Sequence, residues 1–209
     1  MEMPVFALHS VLFPGQAMGL QVFEPRYLAL VDHVADTARF VVVAIARGQE
    51  VGVTYEPYRV GVAVSVVAVD DEHPDHDVRH LQISGRGRVA LVEPLRSDPY
   101  PVWRTEPFPD EGGAGTDDVE AATEALAAYL RATGEASGDV LSVPHDPVAA
   151  SYVLAAATPG LVPQHQRLLE VPGAGERLGA VRAVFRRETA MVRALGAGVG
   201  GAALDVNPN

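Results

Sequence analysis

The sequence predicts an α+β protein, in which a small, partly closed β-barrel precedes a bundle of helices. Long runs of β-branched residues, separated by turn signals, occupy the chain up to about residue 110. Apolar residues recur at helical spacing from residue 117 to residue 196. The segment between them, residues 107–118, is rich in proline, glycine and acidic residues, which is typical of a linker. Strands followed by helices favour an α+β fold over a parallel, doubly wound sheet.

The opening segment, residues 3–27, is the most informative part of the chain. Its apolar runs Pro4–Leu8 and Met18–Phe23 are separated by the turn signal Phe13-Pro14-Gly15. The second run is followed by Pro25, which suits the first position of a helix because its missing N–H would be unsatisfied there anyway. The segment therefore predicts a strand, a tight turn, a second strand and a helix.

The rest of the first half predicts a series of strands. The predicted strands are Arg39–Ala46, Tyr58–Val69, Val78–Ser84, Val89–Leu95 and Tyr100–Phe108. The segment Gly85-Arg86-Gly87-Arg88, which separates two of them, is predicted to be a hairpin turn. Proline has no N–H to donate to a neighbouring strand, so Pro101 and Pro107 place the last strand at an edge of the sheet.

Cap residues set the bounds of the predicted helices. Asp117 and Glu120 predict the start of a helix that Gly134 ends. Three further helices are predicted, one from Asp146-Pro147 to just before Pro159-Gly160, a short one from Pro163, and one over Gly175–Leu195 that Gly196 stops. The predicted domains are a barrel over residues 1–110, a helical bundle over residues 117–196 and a flexible, glycine-rich tail over residues 197–209.

Two ordered motifs in the opening segment resemble those of a known family. They are L-F-P-G at Leu12–Gly15 and F-E-P-R-Y at Phe23–Tyr27. Their sequence and spacing resemble the opening of the Lon protease amino-terminal (substrate-binding) domain family. Within these motifs we expect Gly15 at positive φ, and we expect Arg26 to pair with Glu24 or to cap a carbonyl group.

The resemblance extends over about residues 3–196. Leu81–Val89 is similar to the family's strand and glycine–arginine hairpin, although Val89 stands where an aromatic residue is usual. Gln166–Glu170 and Glu176–Leu178 are similar to the family's Q-x-L-L-E and R-L pattern. The resemblance implies a PUA-like pseudo-barrel followed by a helical bundle. It also implies a recognition module for unfolded or flexible polypeptide. Lon proteases carry an ATPase and a protease domain after this module, but the chain has no G-x-x-x-x-G-K-[ST] loop and no possible Ser–Lys pair, so we expect the module alone, with no catalytic residue and no cofactor.

The composition limits the chemistry that the chain can perform. It has 209 residues, a formal net charge of −11, no cysteine and no lysine. These absences exclude disulfides, thiol nucleophiles, a Ser–Lys dyad and a phosphate-binding-loop lysine. The negative charge argues against nucleic acid as the main ligand, because phosphates are bound by basic surfaces. No apolar run approaches the roughly 20 residues that span a bilayer, so we expect a cytoplasmic protein.

The most conspicuous polar cluster is the loop Asp70–His80, which reads DDEHPDHDVRH. Its carboxylates and imidazoles could bind a divalent cation. A solvated loop between two strands explains the same residues, and a loop without a rigid scaffold rarely fixes the geometry of metal ligands. We therefore expect no metal site. The serines and histidines lie in no recognisable catalytic motif such as G-x-S-x-G, so we expect no catalytic residues.

Three aromatic residues, Phe23, Tyr27 and Trp103, are the candidates for a substrate-binding groove. Their simplest role is in the core or at its edge, but aromatic side chains also dominate recognition surfaces. We expect exposed apolar area in the cleft between barrel and bundle, and a preference for basic or neutral apolar segments.

Two other functions stay open, a nucleic-acid-binding module, because PUA-like barrels elsewhere bind RNA, and an undetected hydrolase. The clients, a role as an adaptor for a protease or chaperone, and the oligomeric state, a homodimer included, are left open by the sequence.

Overall fold

The computed structural model describes residues 1–34, 39–50, 55–70, 78–135 and 142–200. In these ranges the strands are β1 (Glu2–Leu8), β2 (Ala17–Val22), β3 (Arg39–Gly48), β4 (Tyr55–Pro57), β5 (Val60–Asp70), β6 (Arg79–Arg96) and β7 (Val102–Pro107). The helices are α1 (Pro25–Val34), α2 (Thr116–Thr133), α3 (Pro147–Ala156), α4 (Val162–Glu170) and α5 (Ala174–Gly200). Apart from α1, strands therefore occupy the first half and helices the second, which confirms the α+β prediction. None of these helices combines the length and the apolar character that crossing a bilayer requires.

Five of the strands form a closed ring of pairings. Strand β1 pairs with β7 on one side and, in parallel, with β3 on the other. Antiparallel pairings of β7 with β6, of β6 with β5 and of β5 with β3 complete the ring. Strands β2 and β4 lie outside it, and in the described part of the chain each has a single strand partner, β6 for β2 and β3 for β4.

The opening segment folds as the sequence predicts. Gly15 adopts φ of 81° in the turn between β1 and β2, a conformation that favours glycine. Pro25 is the first residue of α1. Arg26 does both things expected of it, because its Nη2 lies 3.1 Å from Glu24 Oε2 and donates a hydrogen bond of 3.1 Å to the carbonyl oxygen of Glu50.

The predicted hairpin at Gly85–Arg88 is wrong, because these residues lie inside β6, a continuous strand of 18 residues. Gly85 marks a close approach of two backbones instead of a turn. Its N–H donates to the carbonyl oxygen of Gln16 (2.9 Å), and its own carbonyl oxygen accepts from the N–H of Gly15 (3.0 Å). A Cβ atom on Gly85 would lie 2.5 Å from the carbonyl oxygen of Phe13. Glycine is therefore required there so that the turn before β2 can pack on β6.

The predicted edge position of the last strand is also wrong, because β7 lies between β1 and β6. The two prolines delimit the strand without interrupting its ladder. Pro101 precedes β7 and uses only its carbonyl oxygen, which accepts from the N–H of Val5 (2.9 Å). Pro107 is the last residue of β7. Proline at either end of a strand thus does not require an edge.

The helix caps agree in part with the sequence. Gly134 ends α2 at φ of 81°, and the side chain of Asp146 caps α3 by accepting from the N–H of Ala149 (2.8 Å). Helix α2 begins one residue earlier than Asp117, and Asp118 accepts the N–H of the cap residue, Gly115 (3.0 Å).

The final helix is longer than the sequence predicts. Helix α5 continues through Gly196, the predicted stop, to Gly200. Of the predicted tail, residues 201–209 lie outside the described residues.

The larger of two hydrophobic clusters among the described residues joins the strands to the helices. It contains Phe6 and Phe40 from the ring of strands together with Leu126, Leu154 and Phe185 from the helices. A smaller apolar cluster lies on the other face of β1 and β3. The division into a barrel domain and a bundle domain stays a prediction.

Candidate functional site

A cavity of about 420 Å³ lies beside β2, where it is bordered by the end of β1 and the start of α1. Residues 18–24 all line it. Side chains of a strand alternate between its two faces, so a cavity over one face would be lined by every second residue. Lining by seven consecutive residues means that this cavity follows the backbone edge of β2 and continues into the start of α1.

Tyr27 forms the floor of this cavity. Its side chain is buried, and its ring stacks on that of Phe6 with the centroids 4.0 Å apart. The phenol oxygen accepts a hydrogen bond from the N–H of Ala7 (3.2 Å), and the guanidinium carbon of Arg26 lies 4.3 Å from the ring centroid. Burial raises the pKa of the Tyr27 phenol, and the neighbouring Tyr55 raises it further. The phenol is therefore neutral at physiological pH and acts as a structural acceptor.

Phe23 lies at the rim of the same cavity and is 50% exposed. Phe23 is therefore not a core residue, and its role as a candidate for ligand binding stays a prediction. The residue lies between the last residue of β2, Val22, and the first residue of α1, Pro25. An exposed phenylalanine beside a cavity is a feature of recognition surfaces, where aromatic side chains provide much of the binding energy.

Two carboxylates, Glu24 and Glu50, also line the cavity. Glu24 is balanced by Arg26, whereas Glu50 Oε2 accepts a long hydrogen bond of 3.4 Å from the N–H of His9. The described residues that line the cavity include no arginine or histidine. The rim is thus apolar with an excess of negative charge.

Trp103 lines a different depression, of about 330 Å³, together with Tyr55. The guanidinium of Arg59 lies over the indole, 5.3 Å from its centroid. Arg26 separates the two depressions, because its guanidinium lies over the ring of Tyr27 and, at 5.6 Å, over that of Tyr55. The structure therefore brings Phe23 and Tyr27 together and leaves Trp103 in a separate place.

The junction of strands and helices contains a third depression, of about 340 Å³. Its lining includes Arg88, Asp110 and Tyr152, whose polar groups bind one another. Burial lowers the pKa of the Arg88 guanidinium, an effect that Tyr152 and Asp110 oppose. This cleft is where the sequence placed the ligand surface, but Arg88, Asp110 and Tyr152 use their polar groups to hold the strands and helices together.

The loop Asp70–His80, whose side chains could bind a cation, lies mostly outside the described residues. Residues 71–77 of the histidine- and aspartate-rich loop lie outside the described residues. Of the loop's ends, Asp70 closes β5 and pairs in register with His80 of β6. Among residues 1–34, 39–50, 55–70, 78–135 and 142–200, no group of three histidine, aspartate or glutamate side chains is placed to hold a metal ion.

The cavity of about 420 Å³, with its mostly apolar lining, falls within the size range of ligand pockets, and it lies in an α+β domain. The chain belongs to the Lon substrate-binding domain family, because residues 2–184 match the family described as "ATP-dependent protease La (LON) substrate-binding domain". The family recognised from the two motifs of the opening segment is thereby confirmed.

Two solved structures are similar to the chain. A Lon N-terminal domain protein from Xanthomonas campestris is 26% identical, with a TM-score of 0.65, and the match covers 88% of this chain and 98% of that one. The N-terminal domain of the Lon protease from the Mycobacterium avium complex is 16% identical, also with a TM-score of 0.65, and the match covers 89% of this chain and 98% of that one. The second likeness concerns the fold alone. No curated protein matches the chain in sequence.

Proposed function

We propose that this chain is a non-catalytic module that binds unfolded or flexible segments of polypeptides. Membership of a substrate-binding domain family supports a binding role. The single observation that carries the proposal is the cavity along β2, with the half-exposed Phe23 at its rim and an apolar lining. A flexible segment can place apolar side chains in such a cavity, whereas a folded protein keeps them in its own core.

The resemblance to the Lon family also suggests a finer architecture and a cellular role. The closed ring of five strands supports a PUA-like pseudo-barrel, and the packing of α2 and α3 on α5 supports a helical bundle behind it. We propose that the module acts in the cytoplasm, as an adaptor that presents its clients to a protease or a chaperone. Family membership supports this role through the substrate-binding part of Lon.

The test compares one polypeptide in its unfolded and folded states. A fluorescently labelled, destabilised variant of a small model domain and its stable parent are titrated with the chain, and anisotropy is recorded. We expect the unfolded variant to bind at least about tenfold more tightly, which corresponds to about 1.4 kcal/mol. Equal affinity for both states would overturn the proposal. A single-stranded RNA of similar size is the third probe, and tighter, steeply salt-dependent binding to it would favour a nucleic-acid module instead.

A further inference from the structure

Among the described residues, the strands β1 and β2 are not paired with each other, and a gap separates the end of β1 from β2. Beside β1, strand β7 pairs with Glu2–Pro4, and the carbonyl oxygen of Pro101 accepts from the N–H of Val5. Further along, the N–H of Ala7 donates to the side chain of Tyr27 instead of to a strand. Both β2 and β7 pair along β6, β2 with residues 79–84 and β7 with residues 89–96. The cavity thus occupies, beside β2, the position that β7 fills further along the sheet.

Strand β2 offers an unpaired edge to this gap. In the described part of the chain its strand partner is β6 alone, through an unbroken antiparallel register over Ala17–Val22. In an antiparallel pair every second residue directs its N–H and C=O away from the partner. The cavity-facing edge of β2 therefore presents alternate backbone donors and acceptors along a strand of six residues, which is roughly 20 Å long.

The sequence of β2 does not protect this edge. Natural edge strands are blunted by lysine, other charges, proline or bulges, because an exposed edge recruits further strands. The segment AMGLQV carries no charge and no proline, and its register with β6 has no bulge. Its residues alternate between the buried Leu20 and Val22 and the exposed Gly19 and Gln21. An edge of this kind, kept open beside a cavity, is suited to accept a strand.

We infer that the chain captures polypeptide by strand addition, in which an extended segment with a basic residue pairs with the free edge of β2. This inference rests on the proposed function and adds the recognised conformation and chemistry to it. Backbone pairing supplies affinity that does not depend on sequence, and alternate apolar side chains enter the cavity against Tyr27 and Phe23. The carboxylate of Glu50 at the rim, on a chain of net charge −11, selects a basic residue over an acidic one.

The test uses capped eight-residue peptides of alternating valine and threonine that carry one arginine or, in the matched peptide, one glutamate. Two further versions of the arginine peptide have N-methyl groups on the amides of one edge or of the other edge. Binding is measured by anisotropy, and amide hydrogen exchange of the protein is followed residue by residue. We expect the arginine peptide to bind at least about tenfold more tightly than the glutamate peptide, and one of the two methylated versions to lose at least about tenfold.

The exchange pattern and two variants complete the test. We expect the peptide to protect every second amide of β2, since only those N–H groups point away from β6. Glu50→Gln keeps the oxygen that His9 contacts and should reduce the preference for arginine over glutamate by at least about threefold. Phe23→Ala should weaken both peptides, whereas Met191→Ala, on α5 and 51% exposed, should change neither.

Different results would overturn strand addition to β2 and the binding of unfolded polypeptide. Strand addition is overturned if both methylated peptides bind like their parent, or if protection appears outside β2 while the unfolded domain still binds. In that case the binding of unfolded polypeptide remains the proposed function, without backbone pairing to β2. If neither the unfolded domain nor any peptide binds, the proposed function itself is overturned.

Discussion

Arg177 and Asp110, which are 67 residues apart in the chain, meet at 2.6 Å where the strands join the helices. The same carboxylate accepts from the hydroxyl of Tyr152 (2.7 Å to Oδ2) and from Arg88 (3.1 Å to Oδ1). Both guanidinium groups are almost completely buried, and they also donate to several backbone carbonyls of the segment 168–172. Asp110 thus lies in the segment predicted to be a linker and ties β6, α3 and α5 together.

We predict that Asp110→Asn lowers the free energy of unfolding substantially. The substitution preserves the shape of the side chain and removes its charge, which leaves two buried guanidinium groups without a carboxylate. Removing one partner of a buried ion pair costs about 3–5 kcal/mol. Urea denaturation at constant ionic strength measures the loss.

The control for that variant is Glu93→Gln. Glu93 lies 2.7 Å from Arg104, but both side chains are about half exposed. An exposed pair contributes about 0–1 kcal/mol, so this variant should remain close to the parent protein. Equal effects of the two substitutions would mean that Asp110 does not hold the junction.

We predict opposite effects for alanine at two glycines of β6. At Gly85 a Cβ atom would lie 2.5 Å from a backbone oxygen of Phe13, so Gly85→Ala forces the turn away from the strand. Such overpacking costs about 1–3 kcal/mol. At Gly87 nothing lies within 4 Å of the added atom, so Gly87→Ala should be neutral or stabilise by about 0.4–1 kcal/mol through the unfolded chain. Thermal and urea unfolding of the two variants measure these effects. A Gly85→Ala protein as stable as the parent would refute the close approach of Gly85 to Phe13.

We predict that the protein loses stability as the pH rises above about 10, the usual pKa of tyrosine. Burial raises the pKa of Tyr27 and of Tyr152, and the hydrogen bond to Asp110 raises that of Tyr152 further. Above pH 10 the unfolded state therefore loses protons that the folded state keeps, and the free energy of unfolding falls. Each tyrosine contributes at most about 1.4 kcal/mol per pH unit, and nothing below pH 9.

Unfolding in urea at several values between pH 8 and pH 11 checks this dependence. Tyr27→Phe and Tyr152→Phe each remove one titrating group, so each variant should show a shallower fall than the parent protein. A slope that neither substitution changes would show that other groups cause the loss at alkaline pH.

The local elements of the fold were predictable because their signals are local. The turn with Gly15, the helix start at Pro25 and the caps at Gly134 and Asp146 depend on residues within a few positions of each other. The long apolar run of β3 was equally clear, because a strand buried on both faces needs no alternation.

The errors came from contacts that are distant in sequence. Gly85 resembles a turn residue until the backbone of Phe13 is placed against it. Nothing in the chain near Pro107 indicates that β1 will pair with β7. The cluster at Asp110 was missed for the same reason, since its arginines look like ordinary surface residues one at a time. The only available signal was their place in the R-L and glycine–arginine patterns, at Arg177 and Arg88.

Of the three candidate aromatic residues, two line one cavity, and the role of all three in binding stays a prediction. Phe23 and Tyr27 are four residues apart, and they line one cavity because Phe23 directly follows β2 and Tyr27 lies in the first turn of α1. Trp103 is on β7, which pairs with β1 at the end away from this cavity, so no sequence spacing could have placed it correctly. Aromatic character alone does not decide which surface an aromatic residue joins.

The cavity along β2 and the depression beside Trp103 can be distinguished by alanine substitutions. If polypeptide binds along β2, Phe23→Ala should weaken binding of the unfolded domain by about tenfold, because the lost ring covers the rim of the cavity. Trp103→Ala should change the affinity by less than about twofold, since Trp103 lines a depression that Arg26 separates from the cavity. The indole packs with Arg59, so binding is measured well below the melting temperature of each variant, with circular dichroism as the check on folding. A larger loss from Trp103→Ala than from Phe23→Ala would move the binding surface to the depression beside Tyr55 and would overturn the placement along β2.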